Sequence, residues 1–214
     1  MFALMLGVLA CASRAEAQVV QLEPETPSVS IYAGAGLSTL FRGDLAFTNA
    51  LGGEAGIRVP LSRRVFLDTS FAQFRDRESS VVLDLPIQSP TMVIGHVDRL
   101  EQRTERRVST VEFAVVSTGT VGRVRVAAGG GAGLMVLNRT FRQTLIGCSP
   151  AGATFCGDSR TDFTSTTGTV FGLGSVDVRL TRRVGLYGSG RFVLVLRDVG
   201  SSGIRVTGGV RMAL

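Results

Sequence analysis

Apolar and polar residues alternate along most of this chain, most clearly over residues 123–137. There, valines, alanines and a leucine occupy one parity, whereas arginines and glycines occupy the other. A period of two residues predicts an extended strand with one apolar and one polar face. The same pattern recurs in seven further segments, so the chain is predicted to be all-β with eight strands. The segments are residues 28–41, 50–61, 65–74, 110–115, 123–137, 166–180, 184–196 and 204–214.

Short and long connections alternate between the predicted strands. Tight turns are expected at 61–64, 119–122 and 180–183, and the two longest connections cover 75–107 and 138–162. The first of these is predicted to contain a hairpin between residues 80–85 and 91–97. A change of apolar parity between Leu173 and Val176 predicts a β-bulge near Gly174. A meander of eight strands with short turns at one end is typical of an outer-membrane barrel.

Charged residues occupy only the polar parity within the predicted strands. Charges on the lipid face of a barrel near the midplane cost ~2–4 kcal/mol, which would account for this exclusion. A water-soluble exported barrel with an apolar core would show the same parity of charged residues. The parity alone therefore does not distinguish a soluble barrel from a membrane barrel. Glycines on the polar face and few large aromatic residues on the other favour lipid. The predicted aromatic girdle is thin, with Phe41, Phe74, Phe113 and Phe192 as its main members.

The first 17 residues are predicted to be a cleaved signal peptide. They contain an apolar core and end in the A-x-A pattern of Ala15, Glu16 and Ala17. A buried N-terminal helix and lipoprotein processing at Cys11 are the alternatives. Residues 18–27 form a polar periplasmic lead-in, and residues 28–214 the barrel domain. No later stretch is long and apolar enough for a transmembrane helix.

Two cysteines, Cys148 and Cys156, remain after removal of the signal. In an exported loop they predict a disulfide, which would stabilise the fold by roughly 2.5 kcal/mol in the chain-entropy estimate. A metal site is disfavoured because His96 is the only histidine. No cofactor is predicted.

The composition gives little support for nucleic-acid binding. The formal net charge is +6, and every basic side chain is an arginine. These arginines are distributed over the strands instead of forming one basic patch or helix, which a nucleic-acid partner would favour.

With its signal, eight alternating strands and short turns, the chain resembles the small outer-membrane barrels of the OmpA/OmpX type over residues 28–214. It departs from them at Leu214, where the family ends in an aromatic residue. The resemblance implies a bacterial outer-membrane location, contact with outer-membrane lipid and insertion by the barrel-assembly machinery. It also implies an ion-pair lattice in the lumen, made here by Glu54, Arg58, Asp68, Glu112, Arg125, Asp177, Arg179, Arg191, Arg205 and Arg211.

A closed, non-enzymatic barrel with a structural or surface role is the function that this sequence favours. A narrow gated channel for small solutes is one alternative, and an adhesin that binds a ligand through 75–107 and 138–162 is another. A lipid A-modifying enzyme is the least favoured alternative. Its only candidate residues are His96 with Asp98 and either Ser89 or Ser109, and no spacing marks a triad.

Overall fold

The computed structural model describes residues 28–41, 47–89, 92–149, 157–196 and 201–214. Predictions about the signal peptide, the lead-in and the disulfide concern residues or side chains outside this description, and they stay predictions. The strands are β1 (Ser30–Phe41), β2 (Phe47–Pro60), β3 (Val65–Ser89), β4 (Met92–Val121), β5 (Val124–Ser149), β6 (Gly157–Arg179), β7 (Val184–Val195) and β8 (Ser202–Ala213).

The strands form one closed antiparallel barrel. Each strand pairs with the next, and β1 pairs with β8 in a register that sets Tyr32 opposite Arg211. The predicted eight-stranded, up-and-down antiparallel barrel is therefore confirmed. No helix in the described part of the chain has the length and hydropathy needed to cross a membrane.

Two of the tight turns have the same backbone geometry. The amide of Leu61 donates to the carbonyl of Val65 at 2.8 Å, and that of Leu180 donates to Val184 at 3.0 Å. The hydroxyl of Ser62 or Thr181 then accepts a hydrogen bond from the amide of Val65 or Val184, respectively. Sequence positions 61–64 and 180–183 are thus equivalent turns that each carry two arginines.

Strands β3 to β6 are about twice as long as the other four. They contain 25, 30, 26 and 23 residues, against 12 to 14 in β1, β2, β7 and β8. Pairing between β2 and β3 ends at Leu51 and Arg75, and β3 then continues with β4 as its partner. The four long strands extend beyond this level at the end of the barrel opposite the tight turns. We call this extended part of β3–β6 the outer sheet.

The predicted hairpin within 75–107 exists, but its register differs from the prediction. Ser89 pairs with Met92 next to the turn, whereas Ser80 pairs with Gln102 and Leu85 with Val97. Residues 80–85 therefore face 97–102, and not 91–97 as predicted. The hairpin continues the β3–β4 ladder of the barrel without a break in strand order.

The predicted 138–162 loop is mostly strand. Strand β5 runs to Ser149 and β6 begins at Gly157, with Asn138 opposite Thr164 and Thr144 opposite Asp158. Most of these residues are polar on both faces, so alternation between apolar and polar positions could not indicate the strand.

The predicted bulge near Gly174 is wrong. Register continues through this residue on both sides, with Ala128 on β5 and Gly190 on β7 opposite it. Phe171 and Leu173 change the apparent parity because they point into the barrel, where they are buried. The prediction that Phe74 belongs to the outer aromatic girdle is also wrong, since its side chain is fully buried inside the barrel.

The outward face of the barrel carries exposed apolar side chains on every strand. Leu51 is 70% exposed and Leu134 is 60% exposed, although both are large aliphatic residues. Other members of this apolar belt are Leu37, Ile57, Phe71, Val111, Phe113, Val115, Val126, Val170, Val176, Leu186, Phe192, Leu194, Ile204, Val206 and Val210.

Two clusters of buried apolar side chains lie on the inward face. The Phe74 cluster consists of Leu40, Ala50, Ala72, Phe74, Val108, Met135, Leu137 and Val195. The Phe171 cluster consists of Phe66, Ala114, Val116, Ala127, Phe171, Leu173 and Val193. Since Phe74 neighbours Arg75, where pairing with β2 ends, the Phe74 cluster lies at the outer-sheet end of the lumen.

Gly131 tests how closely neighbouring strands approach on the inward face. A Cβ atom there would lie 1.9 Å from the Phe113 carbonyl oxygen, whereas one at Gly172 would meet nothing within 4 Å. We expect Gly131→Ala to lower the free energy of unfolding by about 1–3 kcal/mol, since the backbone of β4 must move. Gly172→Ala, on the outward face of the adjacent strand, is the control, because a methyl group there meets no neighbouring atom. Urea unfolding followed by circular dichroism measures both, and equal midpoints would contradict the prediction.

Candidate functional site

Eight buried charged side chains meet in the lumen. Four are carboxylates and four are guanidinium groups, so their formal charges cancel. Each is less than a tenth exposed, which requires mutual neutralisation because a buried unpaired charge is very costly. We call this set the lumen network: Glu54, Asp68, Glu112, Asp177, Arg58, Arg191, Arg205 and Arg211.

Arg191 on β7 is the centre of the lumen network. Its two terminal nitrogens pair with Glu54 on β2 and Glu112 on β4. The nitrogen that pairs with Glu112 also donates to the Ser70 hydroxyl at 2.8 Å. Arg205 on β8 donates to the other Glu112 oxygen at 2.8 Å, so this carboxylate holds two arginines.

A second part of the network is built around Asp68. Nε and Nη2 of Arg58 both lie 2.8 Å from its Oδ2 atom, and the Tyr32 hydroxyl donates to its Oδ1 atom at 2.6 Å. Asp177 lies 3.7 Å from Arg58 and also pairs with Arg211. Arg191 joins the two parts, since its Nη2 atom lies 4.0 Å from Asp68.

Aromatic rings cover the faces of the network guanidinium groups. Arg205 lies 5.0 Å from the centre of the Phe74 ring, and Arg191 lies 5.5 Å from that of Phe171. Such cation–π contacts stabilise by about 0.5–2 kcal/mol, with the larger values at desolvated sites. Each apolar cluster therefore packs directly against the lumen network.

Arg125 and Arg179 are placed differently from the other predicted lumen residues. Both are half-buried and lie towards the tight-turn end, where Arg125 is 6.0 Å from the centre of the Phe66 ring. The structure thus brings together eight of the ten predicted charges and sets these two beside a cavity at that end.

Uncharged side chains also belong to the site, although the predicted lattice contains only charged residues. Tyr32 and Ser70 share the inward parity of their strands with the network charges and form hydrogen bonds to them. Thr207 donates to Glu54 at 3.3 Å and shares a 2.7 Å hydrogen bond with Ser189. Their inward parity was the available signal, because a polar side chain facing a charged lumen needs a partner there.

The candidate catalytic residues are far apart along the outer sheet. His96 and Ser109 are both on β4, and their separation of 13 residues corresponds to about 40 Å of strand. Ser109 instead accepts a hydrogen bond from Gln73 at 3.2 Å. Ser89 pairs with Met92, four residues and about 13 Å from His96 along the ladder. Neither serine position fits a hydrogen-bonded triad with His96.

No protein family model matches the sequence, and no curated protein matches it. Solved structures do match the fold. The Ail protein of Yersinia pestis, in complex with the heparin analogue sucrose octasulfate, superposes with a TM-score of 0.52 at 11% identity, covering 89% of this chain and 100% of Ail.

Two further structures are similar over comparable lengths. Neisserial surface protein A has a TM-score of 0.47 at 14% identity, with 89% of this chain and 100% of that chain covered. The N-terminal β-barrel domain of Pseudomonas aeruginosa OprF has a TM-score of 0.44 at 12% identity, with the same two coverages. The chain has the fold of the small eight-stranded outer-membrane β-barrels.

Proposed function

We propose that this protein is a non-enzymatic barrel of the bacterial outer membrane with a closed lumen. The observation that carries the proposal is the distribution of polar and apolar side chains, which is the reverse of that in a water-soluble protein. The eight charges of the lumen network are buried inside, whereas residues such as Leu51 and Leu134 are exposed outside. A water-soluble barrel would place apolar residues inside and charges outside.

Lipid is the solvent that suits the apolar belt. The belt surrounds the barrel on all eight strands. If the protein were dissolved in water, its contiguous exposed apolar surface would be much larger than that of typical soluble monomers. Closure of the sheet between β1 and β8 also pairs the backbone groups that hydrocarbon could not satisfy. Both features favour membrane insertion over an exported soluble barrel.

Two layers of side chains favour a closed lumen over a gated channel. The lumen network occupies the interior around Arg191, and the Phe74 cluster lies towards the outer sheet. An ion would have to pass both a set of paired charges and an apolar plug. Eight-stranded barrels have interiors just wide enough for side chains to fill, so little space remains for water.

The closed-lumen proposal predicts a folded but non-conducting protein. Purified protein should migrate differently on gels before and after heating, because the closed barrel resists the detergent until it is unfolded. Reconstituted into planar bilayers, the same folded fraction should give no discrete conductance steps. Reproducible ohmic steps from that fraction would support the channel alternative and overturn the closed lumen.

The lumen network predicts unequal effects of two carboxylate substitutions. Glu112→Gln removes the partner of Arg191 and Arg205 in the buried interior. We expect a loss of about 3–5 kcal/mol of unfolding free energy, because an uncompensated buried charge remains. The control is Asp162→Asn, whose partner Arg160 is exposed, so that solvent screening makes the expected change much smaller.

Urea titration of the heat-modifiable gel band measures both variants. If Glu112→Gln leaves too little folded protein for a titration, its folded fraction without urea, compared with that of Asp162→Asn, gives the result. Equal behaviour of the two variants would contradict the proposed role of the network.

Ligand binding by the outer sheet is a second candidate function, favoured by a row of arginines. The register sets Arg103 opposite Arg142, and Arg142 opposite Arg160, on the outward face of three adjacent strands. The outward face of the described outer sheet contains seven arginines and four carboxylates. They are Arg75, Arg77, Arg99, Arg103, Arg107, Arg142, Arg160, Glu101, Glu105, Asp158 and Asp162.

Two carboxylates of the outer sheet, Glu105 and Asp162, have lowered pKa values. A hydrogen bond from Arg75, at 2.9 Å, lowers the pKa of Glu105 below its ordinary value. The pKa of Asp162 is also lowered, first by a hydrogen bond from Thr140 and then by one from Arg160. The remaining positive excess suits a polyanionic ligand such as a sulfated glycan.

Sucrose octasulfate, which is bound in the Ail structure, is the probe for this function. We expect folded protein to bind it in calorimetry at low salt, with an affinity that falls as salt is added. Arg142→Gln with Arg160→Gln should weaken binding by about tenfold, or 1.4 kcal/mol. The control is Arg63→Gln with Arg64→Gln at the opposite end. Equal affinities of the two double variants would overturn an assignment to the arginine row.

A further inference from the structure

A basic cavity of about 60 Å³ opens at the tight-turn end of the barrel. Its wall is formed by the ends of β1, β4, β5, β6, β7 and β8 together with the turns between β4 and β5 and between β6 and β7. Six arginines contribute to this wall: Arg123, Arg125, Arg179, Arg182, Arg183 and Arg211. Since one ordered water needs roughly 10–15 Å³ on the same scale, the space suits a small polyatomic ion.

The cavity differs from the lumen network in its balance of charge. Among the described residues that line it, Asp177 is the only carboxylate, and this group already pairs with Arg211 and lies 3.7 Å from Arg58. The lumen network contains equal numbers of arginines and carboxylates, whereas the described cavity wall contains six arginines and one carboxylate. Converging guanidinium groups of this kind bind oxyanions through short, charge-assisted hydrogen bonds.

Further donors point to an oxyanion as the ligand. The hydroxyl-bearing residues Ser28, Ser30, Thr120 and Thr181 also line the cavity. Arg211, which is 7% exposed, has a buried Nε atom with no hydrogen-bond partner in the described part of the chain. A buried donor without a partner is unfavourable, so a ligand that accepts a hydrogen bond from it is stabilised.

The position of the cavity relates it to the apolar belt. Leu180 and Val121, which flank two tight turns, are 55% and 79% exposed. The arginines of the β6–β7 turn therefore lie where the belt ends, at the level expected for phosphate groups of a lipid leaflet. This placement in a membrane rests on the proposed function, whereas the charge and shape of the cavity do not.

We propose that this cavity is a binding site for a phosphate-type oxyanion. The phosphate belongs either to the head group of an anionic phospholipid in the adjoining leaflet or to a free phosphate ion. Arg182 and Arg183 are its outermost ligands, since both are exposed, and Arg211 is its innermost one.

The chain contains a natural control for this site. The turn at 61–64 has the same hydrogen bonds as the turn at 180–183 and also carries two arginines. Arg63 and Arg64, however, do not line the cavity. Replacing either pair by glutamine removes the same charge from the same kind of turn, and the turn-forming hydroxyl and backbone groups remain. Both double variants should therefore fold and show wild-type heat-modifiable mobility.

The first arm of the test uses inorganic phosphate. Folded protein in a non-ionic detergent is titrated calorimetrically with phosphate at low ionic strength. If free phosphate is the ligand, wild type and Arg63→Gln/Arg64→Gln bind it, and Arg182→Gln/Arg183→Gln binds at least about tenfold more weakly. The second arm uses native mass spectrometry after exposure to phosphatidylglycerol or to zwitterionic phosphatidylcholine.

If a lipid head group is the ligand, wild type and the 63/64 variant retain phosphatidylglycerol in preference to phosphatidylcholine, and the 182/183 variant loses that preference. A difference between the double variants in either arm supports the site and identifies the source of the phosphate. If the two double variants behave alike in both arms, the proposed oxyanion site is overturned. The phosphate arm is independent of membrane insertion, so failure of the proposed membrane location would be seen separately as failure to integrate into vesicles.

Discussion

The neutralisation of buried charge around Arg191 is the interaction on which the interior of this protein depends. Its guanidinium group joins carboxylates from β2 and β4, and the network continues from there to Arg205, Asp68 and Asp177. Charges are tolerated inside only because every one has a partner of opposite sign within the same narrow space. Apolar clusters pack against these groups, and the low local dielectric of such surroundings strengthens the contacts between opposite charges.

The parity of the strands connects this interior to the exterior. A strand that sends Glu112 into the lumen must send Val111 and Phe113 outward, since successive side chains alternate. The same alternation continues in the outer sheet, where many outward positions are charged, although Val81, Leu83 and Ile146 are exposed apolar residues there. The backbone pattern is therefore the same along β3 to β6, and the residue types on the outward face change.

The sequence was sufficient to predict the strand count, the antiparallel order and the inward parity of the charges, because each depends on local alternation. It did not predict that Phe74, Phe171 and Leu173 point inward. Where both faces of a strand are apolar, alternation gives no contrast, and a lumen that contains apolar clusters defeats the assumption of a uniformly polar interior. Residues 138–149 were missed for the opposite reason, since both faces of that strand are largely polar. Which charges pair across the lumen depends on the closed register, and no local pattern contains that information.

The distribution of the lumen network over the strands also bears on the order of assembly. Arg205 on β8 pairs with Glu112 on β4, four strands away, whereas Arg211 on β8 pairs with Asp177 on β6, only two strands away. In an open sheet whose first and last strands had not yet joined, Arg205 would lie far from Glu112, and Arg191 on β7 would lie far from Glu54 on β2. Neutralisation of these groups is therefore completed only when the barrel closes. Closure of the sheet thus completes the pairing of charges in the interior as well as the pairing of strands.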